Sequence, residues 1–145
     1  MASMRELLKN AVMAKIAAAS ALTSLLSGGY HWGEPGPIAA KPYIKIDTLG
    51  GGRLQAMKTC KASSGSVVIF INIFSDGGST PRASTEAEAI QSAVHTLFDM
   101  QPITMAGYKN MTLWRPEEDD LRQEPDTGLW HCTCAYQGRA NPIPS

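Results

Sequence analysis

The chain has 145 residues, about the length of one typical domain, so a single hydrophobic core is the expected arrangement. Hydrophobic residues make up 43% of the sequence and charged residues 18%, and 13 basic side chains balance 13 acidic ones. This composition argues against an intrinsically disordered chain and against a strongly basic nucleic-acid-binding protein. The cysteine count of 3 is odd, which is typical of reduced thiols in a cytoplasmic protein and not of a secreted disulfide framework.

The N-terminal segment contains Lys15 followed by the apolar run IAAASALTSLL, which has the outline of a signal peptide. Against that interpretation, Glu6 lies among the early basic residues, no small-x-small cleavage site follows Leu26, and the apolar positions are periodic. The run is also far shorter than the ~20 apolar residues that cross a bilayer. We therefore predict one amphipathic helix over residues 3–26. Its apolar stripe consists of Leu8, Val12, Ile16, Ala19, Leu22 and Leu26.

Both ends of this predicted helix carry local signals. Ser3 and Glu6 have the spacing of a capping box, in which each side chain bonds a free backbone amide of the first turn. Gly28 and Gly29 can adopt positive φ without steric cost, which is a common way for a helix to end.

Residues 27–42 are too rich in glycine and proline for a helix or a ladder strand, and we predict a surface connection. Tyr30, His31 and Trp32 are unusual in such a segment. Aromatic side chains of this size are expected to pack over the core, the alternative being that they stand out as contact groups.

A strand is predicted over Pro42–Leu49, where apolar and polar residues alternate with period two. The next residues, about 50–66, contain Arg53, Lys58 and Lys61 without acidic residues and predict a mobile, locally positive hairpin arm. Its three consecutive glycines lack the spacing and the Gly-Lys-Ser/Thr ending of a phosphate-binding loop, so nucleotide binding is not favoured.

The segment Val67–Ser75 is apolar on both faces as far as Asn72 and predicts an inner strand covered on each side, at the centre of the core. Thr85 and Glu88 form a second capping-box pattern at the start of a helix. The helix keeps its period through Ala87, Ile90, Val94, Leu97 and Phe98. His95 lies beside this stripe, where a solvated or hydrogen-bonded side chain is favoured over a ligand or a general base.

One or two strand-like pieces, broken at Gly107, are predicted between Pro102 and Arg115. The segment 116–128 then begins with four consecutive acidic residues. The EF-hand pattern is absent, so a solvated acidic loop is favoured over a Ca²⁺ or Mg²⁺ site.

The stretch GLWHCTCAYQGRA, residues 128–140, places a histidine beside two cysteines. In an extended strand Cys132 and Cys134 share one face with Trp130 and Tyr136, while His131 faces the other way. Cysteines at positions i and i+2 of a strand are at or beyond the usual limit for a disulfide, and the spacing does not match a zinc site. We predict that both cysteines are reduced and buried, and that they pack in the core as small apolar side chains.

No catalytic constellation is present: the sequence has no G-x-S-x-G elbow, no H-E-x-x-H, and no carboxylate pair on a clearly buried element. We therefore predict no catalytic, cofactor-binding or metal-binding residues. The alternative from another class is a small intracellular enzyme that uses His31, His95 or His131.

The order of these elements resembles the tail completion proteins of long-tailed bacteriophages, the group of tail-terminator and tail-to-head joining proteins. The resemblance covers almost the whole chain. It depends most on Pro42-Tyr43-Ile44, on Phe74-Ser75-Asp76 followed by the helix Glu86–Leu97, and on the terminal strand DTGLWHCTCAYQG.

The resemblance implies an α+β subunit with a mostly antiparallel sheet of about four strands and two main helices packed on it, in the order α-β-β-α-β-β. Such subunits close into a ring, usually a hexamer, on the head-proximal end of the tail tube, where the ring stops growth and joins the head connector. The implied partners are other copies of the chain, the tail tube protein and a head completion or connector protein. The implied location is the virion tail or neck, and the host cytoplasm during assembly, without a membrane or a cofactor.

The residues expected to contact the ring or a partner are Arg53, Met57, Lys58, Lys61, Tyr30 and Trp32. A near-neutral chain also fits a channel through which double-stranded DNA slides without sequence-specific binding, since many contacts to phosphate would hold the DNA. A head-completion or stopper protein of the neck is the alternative within the same virion.

Overall fold

A computed structural model describes residues 4–33, 40–49, 55–56, 63–76, 84–116, 118–141 and 143. Three helices lie in this part of the chain: α1 (Met4–Ala17), α2 (Ser20–Thr23) and α3 (Thr85–Phe98). The strands are β1 (Tyr30–Trp32), β2 (Tyr43–Leu49), β3 (Gln55–Ala56), β4 (Ser63–Ser75), β5 (Pro102–Ile103), β6 (Met111–Thr112), β7 (Asp120–Gln123) and β8 (Trp130–Ala140).

The main sheet has the strand order β1-β2-β4-β8-β7, with β3 paired to the start of β4. Only β1 and β2 are parallel, and the other pairs are antiparallel. The predicted α+β class and mostly antiparallel sheet are confirmed. The prediction of about four strands is wrong, because the path through the sheet has five strands, with the short strands β1 and β7 at its two ends.

The N-terminal helix differs from the single helix predicted over 3–26. The helical pattern breaks at Ala19, which has φ −98° and ψ 85°, and α2 begins one residue later. The break leaves the apolar stripe in place, because Leu8, Ile16 and Leu22 are all buried. The predicted cap at Ser3 lies outside the described residues.

Two glycines shape the exit from α2. Gly29 has φ +77°, as predicted, whereas Gly28 is required for space: a Cβ built on it would lie 1.7 Å from the carbonyl oxygen of Ala40. The Gly28 N–H donates to the Pro42 carbonyl at 2.8 Å, which fixes this turn beside the start of β2.

The central strand β4 lies between β2 and β8, and its side chains alternate between a buried and a half-exposed face. Val67, Ile69, Ile71 and Ile73 are completely buried under the helices. The opposite face of the strand is only partly buried, so the expectation of cover on both sides is wrong. The core lies on one face of the sheet, and the described side chains of the central strands on the second face, here named the open face, are half-buried.

The terminal strand β8 places its residues as predicted. Cys132, Cys134 and Tyr136 are 0% exposed on the helix side of the sheet, and His131 lies on the open side. Both cysteines are free thiols, with 4.0 Å between the Sγ atoms. The predicted burial of this pair is confirmed.

Helix α3 packs Ala87, Ile90, Val94 and Phe98 into the core. Its N-cap is Ser84 and not the predicted Thr85, and no side-chain hydrogen bond caps the helix. The start of α3 is instead tied to the sheet, because the Ser75 hydroxyl donates to Glu86 Oε1 at 2.7 Å. None of the described helices has the length and apolar character needed to cross a membrane.

Candidate functional site

The predicted contact residues Tyr30 and Trp32 lie on β1, the edge strand beside β2. This is a correction, because the segment was predicted as a connection without a ladder strand. Both side chains are half-buried and pack against the core, and Trp32 also lies under two cations. Arg5 Cζ is 6.0 Å and Lys9 Nζ 5.7 Å from the centroid of the indole ring. A basic and aromatic surface therefore lies along this edge.

The other predicted contact residues, Arg53, Met57, Lys58 and Lys61, lie outside the described residues. Of the predicted mobile arm at 50–66, the described parts are strand residues: Gln55 and Ala56 form β3, and residues 63–66 begin β4. Gln55 pairs with Ser64 and Ala56 with Ser63 in antiparallel orientation, so the two described sides of the segment are joined as in a hairpin, and the mobile arm stays a prediction.

A row of four rings crosses one end of the open sheet face. His31 meets Tyr43 edge to face, with 5.7 Å between ring centroids. Tyr43 stacks on Phe74 at 5.0 Å, and Phe74 stacks on His131 at 4.6 Å with an angle of 8° between the planes. The register explains the row, because Tyr43 is paired with Phe74 and Phe74 with His131 across neighbouring strands. Such a half-buried row of aromatic side chains is of the kind enriched at contacts with other proteins.

The environment of His131 favours the neutral ring. Burial against Phe74 lowers its pKa from the ordinary value of 6.5, Lys45 and Arg122 act in the same direction, and Glu124 opposes them. A shallow open groove lies beside this ring, lined by Asp120, Arg122, His131 and Thr133. The groove joins the aromatic row to the β7 edge of the sheet.

A polar cluster joins α3, β8 and the segment before β7 on the helix side of the sheet. His95 Nε2 bonds Asp119 Oδ2, and His95 Nδ1 lies 2.5 Å from the Tyr136 hydroxyl. Gln91 Nε2 donates to the same Asp119 oxygen at 2.8 Å. The Asp119 side chain is 2% exposed. A His95 ring that donates from Nε2 to Asp119 and accepts at Nδ1 from Tyr136 satisfies both partners.

The cluster brings together donor types that bind metals: one ligand atom each from His95, Asp119 and Cys134 lies within 4.8 Å of the others. The surrounding charge opposes a cation there. Arg115 Nη1 is 3.1 Å from His95 Nε2 and 3.7 Å from Asp119 Oδ2, so the carboxylate already has a positive partner. The cluster is better explained as a polar lock that holds residues 115–119 against α3 and β8.

Electrostatics in the cluster favours the protonated forms of Tyr136 and Cys134. Burial raises the pKa of the Tyr136 hydroxyl, with Cys134 and Asp119 acting in the same direction. The hydrogen bond with Cys132 and burial raise the pKa of the Cys134 thiol. Neither group is therefore activated as a nucleophile at neutral pH.

The sequence did not reveal this cluster. Residues 116–128 were predicted as a solvated acidic loop, which is wrong for two parts of the segment. Asp119 is buried beside His95, and Asp120–Gln123 form β7, paired with β8. His95 is a hydrogen-bonded side chain, which is the interpretation that its sequence position favours. Its partner lies 24 positions further along the chain, in a run of four similar acids, and no local signal tells which of them points inward.

A family profile described as "Tail completion protein gp17" matches residues 10–140. No curated protein matches the chain. A chain in the solved structure "Virion of native gene transfer agent (GTA) particle" is 18% identical with a TM-score of 0.69, and the match covers 92% of this chain and 93% of that chain. A second solved protein, identified only by a sequence number, is 16% identical with a TM-score of 0.68, covering 99% of this chain and 100% of that one. At these identities the two structures show a shared fold.

Proposed function

This chain belongs to the tail completion protein gp17 family, and we propose that it is the subunit of a ring at the head-proximal end of a bacteriophage tail tube. It is a structural protein of the virion. In the proposed role the ring stops tube growth and offers a surface to the head connector. The partners are further copies of the chain, the tail tube protein and a head completion or connector protein. Assembly takes place in the host cytoplasm, and the finished ring lies at the junction of tail and head.

The match of the family profile to residues 10–140 is the observation that carries this proposal. The fold supports it, because the gene transfer agent chain has the same fold and comes from the virion of a gene transfer agent particle. A ring also requires two different surfaces on one subunit, and the β1 and β7 edges of the sheet differ in side chains and charge. Arg53, Met57, Lys58 and Lys61 are proposed to reach a neighbouring subunit, the tube or the connector.

The charge balance supports passage of DNA through the ring. The 13 basic and 13 acidic side chains cancel, so the subunit carries no net positive charge to bind a polyanion. Each phosphate contact with lysine or arginine strengthens binding through counterion release, and a strongly basic lining would retain the genome. Double-stranded DNA is therefore expected to move through the ring without sequence-specific contacts.

The enzyme alternative finds little support in the three histidines, because each described ring has structural partners. His31 Nε2 lies 2.8 Å from the Gly28 carbonyl oxygen, and His131 stacks on Phe74. His95 is held on both nitrogens, by Asp119 and Tyr136. In the stopper alternative, the same kind of subunit lies on the head side of the junction. Its location in the particle distinguishes a stopper from the proposed tail ring.

The proposed role is tested by assembling virions in the absence of the protein. Tails formed in its absence should be longer and more variable than normal tails and should not join to heads, as measured by electron microscopy. Supplying the intact protein in trans should restore both length and joining. Normal tail lengths and complete virions without the protein would refute the proposal.

The stopper alternative has a distinct result in the same experiment. Loss of a stopper leaves tails of normal length beside heads that leak DNA. An antibody label on the intact particle should therefore mark the tube end for the ring proposed here, and the head face for a stopper.

A further inference from the structure

Among the described residues, the main sheet ends in two strands that each pair on one side only. β1 pairs with β2, and β7 pairs with β8 at the opposite end of the strand order. An edge strand presents backbone N–H and C=O groups that can pair with another chain. A single subunit therefore carries two different edges.

The outward groups of β1 follow from its ladder. The Ile44 N–H donates to the Gly29 carbonyl, and the Gly33 N–H donates to the Ile46 carbonyl. In a parallel ladder with this register, Tyr30 and Trp32 direct their own N–H and C=O groups away from β2. Within the described ranges, no backbone group bonds these four outward groups.

The outward groups of β7 follow in the same way. The Glu124 N–H donates to the Leu129 carbonyl, so the hydrogen-bonded positions of this antiparallel ladder continue at Arg122 and Asp120. The intervening residues Leu121 and Gln123 direct their N–H and C=O groups away from β8. Over the described backbone, these groups also have no hydrogen-bond partner.

The two edges match in direction and spacing. β1 is parallel to β2, and β2 and β8 are both antiparallel to β4, so β7 runs opposite to β1. A neighbouring copy rotated about an axis along the strands therefore sets its β1 antiparallel to β7. Tyr30 then faces Gln123 and Trp32 faces Leu121, which pairs all outward groups of both strands.

The side chains along the proposed contact between β1 and β7 are also compatible with this register. Trp32 is in register with Ile46 and Leu121 with Cys132, so both apolar side chains lie on the helix side of the sheet. They would extend the core of one subunit into the next. Gln123 is the one polar β7 side chain on that side, and it lies opposite Tyr30, whereas a shift of one residue would bring the charged Asp120 and Arg122 to the helix side.

Charge complements the pairing. Arg5 and Lys9 lie over Trp32 beside β1. Exposed acidic residues flank β7, with Glu118 before the strand and Glu124 and Asp126 after it. The only cation on β7, Arg122, is paired with Asp120. A basic edge therefore meets an acidic edge when one copy follows the next.

We propose that β1 of one subunit adds to β7 of the next, so that the ring is closed by one continuous sheet. The occupant of each edge is a second copy of this chain, because the complementary edge is present on the same molecule and the contact is heterologous. The inference rests on the proposed ring, and it names the surfaces that build it.

Disulfide trapping tests this pairing. In the proposed register His31 faces Arg122 as a non-hydrogen-bonded pair on the open side of the sheet, with Cα atoms about 4.5 Å apart, within disulfide range. His31→Cys and Arg122→Cys are made separately in full-length protein with Cys60→Ser, while the buried Cys132 and Cys134 are retained. Rings are first verified by electron microscopy and then oxidised mildly.

An equal mixture of the two variants should give cross-linked dimers, and each variant alone should give none. The double variant should give multimers up to the ring size. As a matched control, Thr112→Cys, at an exposed residue of β6 outside the main sheet, should not cross-link to His31→Cys.

The outcomes separate the inference from the proposed function. Rings without cross-links between positions 31 and 122 would overturn the pairing and leave the ring intact. Dimers of His31→Cys alone would show a two-fold contact and would also overturn it. Absence of rings from wild-type protein, alone and with tail tubes, would overturn both the function and the pairing.

A charge exchange gives a second measurement. Arg5→Glu with Lys9→Glu should reduce ring formation at low salt by tenfold or more, and so should Glu118→Lys with Glu124→Lys. A mixture of the two variants should recover heterodimers through the one restored interface. Equal assembly of both variants and wild type would contradict the pairing.

Discussion

Replacing Asp119 by asparagine should lower the free energy of unfolding by about 2 kcal/mol. The substitution keeps the shape of the side chain but removes a negative charge that is 2% exposed. The carboxylate accepts hydrogen bonds from Gln91 and His95, and Arg115 Nη1 lies 3.7 Å away. A hydrogen bond to a charged group contributes about 1.5–3 kcal/mol, and the asparagine oxygen can still accept one of the two.

Asp119→Ala should be more damaging than Asp119→Asn. It removes both acceptor oxygens and leaves the half-buried donors of His95 and Gln91 without a partner, and each unsatisfied donor costs about 1–3 kcal/mol. The order alanine, asparagine, wild type in increasing stability is therefore expected.

The assay is urea unfolding followed by circular dichroism, with the midpoint compared at constant slope. Glu118→Gln is the matched control, because it removes a neighbouring charge that is exposed, and a change within about 0.5 kcal/mol is expected. A double-mutant cycle with His95→Asn isolates the coupling between the two side chains. Equal effects of Asp119→Asn and Glu118→Gln, or no coupling to His95, would refute the polar lock.

Three further predictions concern other parts of the fold. Because the folded pKa of His131 lies below its ordinary value of 6.5, the unfolded chain binds the proton first, and stability should fall as the pH drops through 6.5. His131→Phe, which keeps the stacking, should flatten that dependence in urea midpoints between pH 7.5 and 5.5, and an unchanged slope would contradict the assignment. Alkylating reagents should label Cys132 and Cys134 only after unfolding, and rapid native labelling seen by mass spectrometry would refute their burial. Gly28→Ala should lower the melting temperature more than Gly107→Ala, because a Cβ at position 28 lies 1.7 Å from a backbone oxygen, whereas a Cβ at position 107 meets nothing within 4 Å and alanine there has only the strain of the φ of +83°. Equal changes in the two melting temperatures would show that the turn at Gly28 moves to make room for the added methyl group.

Local patterns predicted the parts of the fold in which periodicity and burial agree. The alternation in β2 and β8 placed Ile44, Ile46, Cys132 and Cys134 on the buried face. The helical steps of α3 identified its core side, and Gly29 has the positive φ expected of a helix end. In each case the side-chain period of the element is set by its own backbone geometry, which a short window of sequence contains.

The missed features depend on distant partners. β1 is a three-residue strand between glycines, and its pairing with β2 comes from residues thirteen to fifteen positions away in the chain, as in Tyr30 with Ile44. β7 has a single apolar residue, Leu121, and exists because β8 offers an unpaired edge. The helix break at Ala19 is invisible to periodicity, because the buried positions continue through it.

The candidate surfaces show the same difference between what local sequence predicts and what depends on distant residues. Tyr30 and Trp32 stood out as aromatic residues in a segment rich in glycine and proline, but their place on a sheet edge follows only from the topology. The aromatic row from His31 to His131 is distributed over four strands, and its rings meet only through cross-strand register. Asp119 is distinguished from its acidic neighbours only by packing against His95.

Electron microscopy of tail tubes mixed with the purified protein tests the proposed ring most directly. We expect a ring seated on one end of each tube, with the sheets of neighbouring subunits joined edge to edge. Capped tubes should not grow further when tube protein is added. A protein that stays monomeric and shows no affinity for tube ends would contradict the proposed ring.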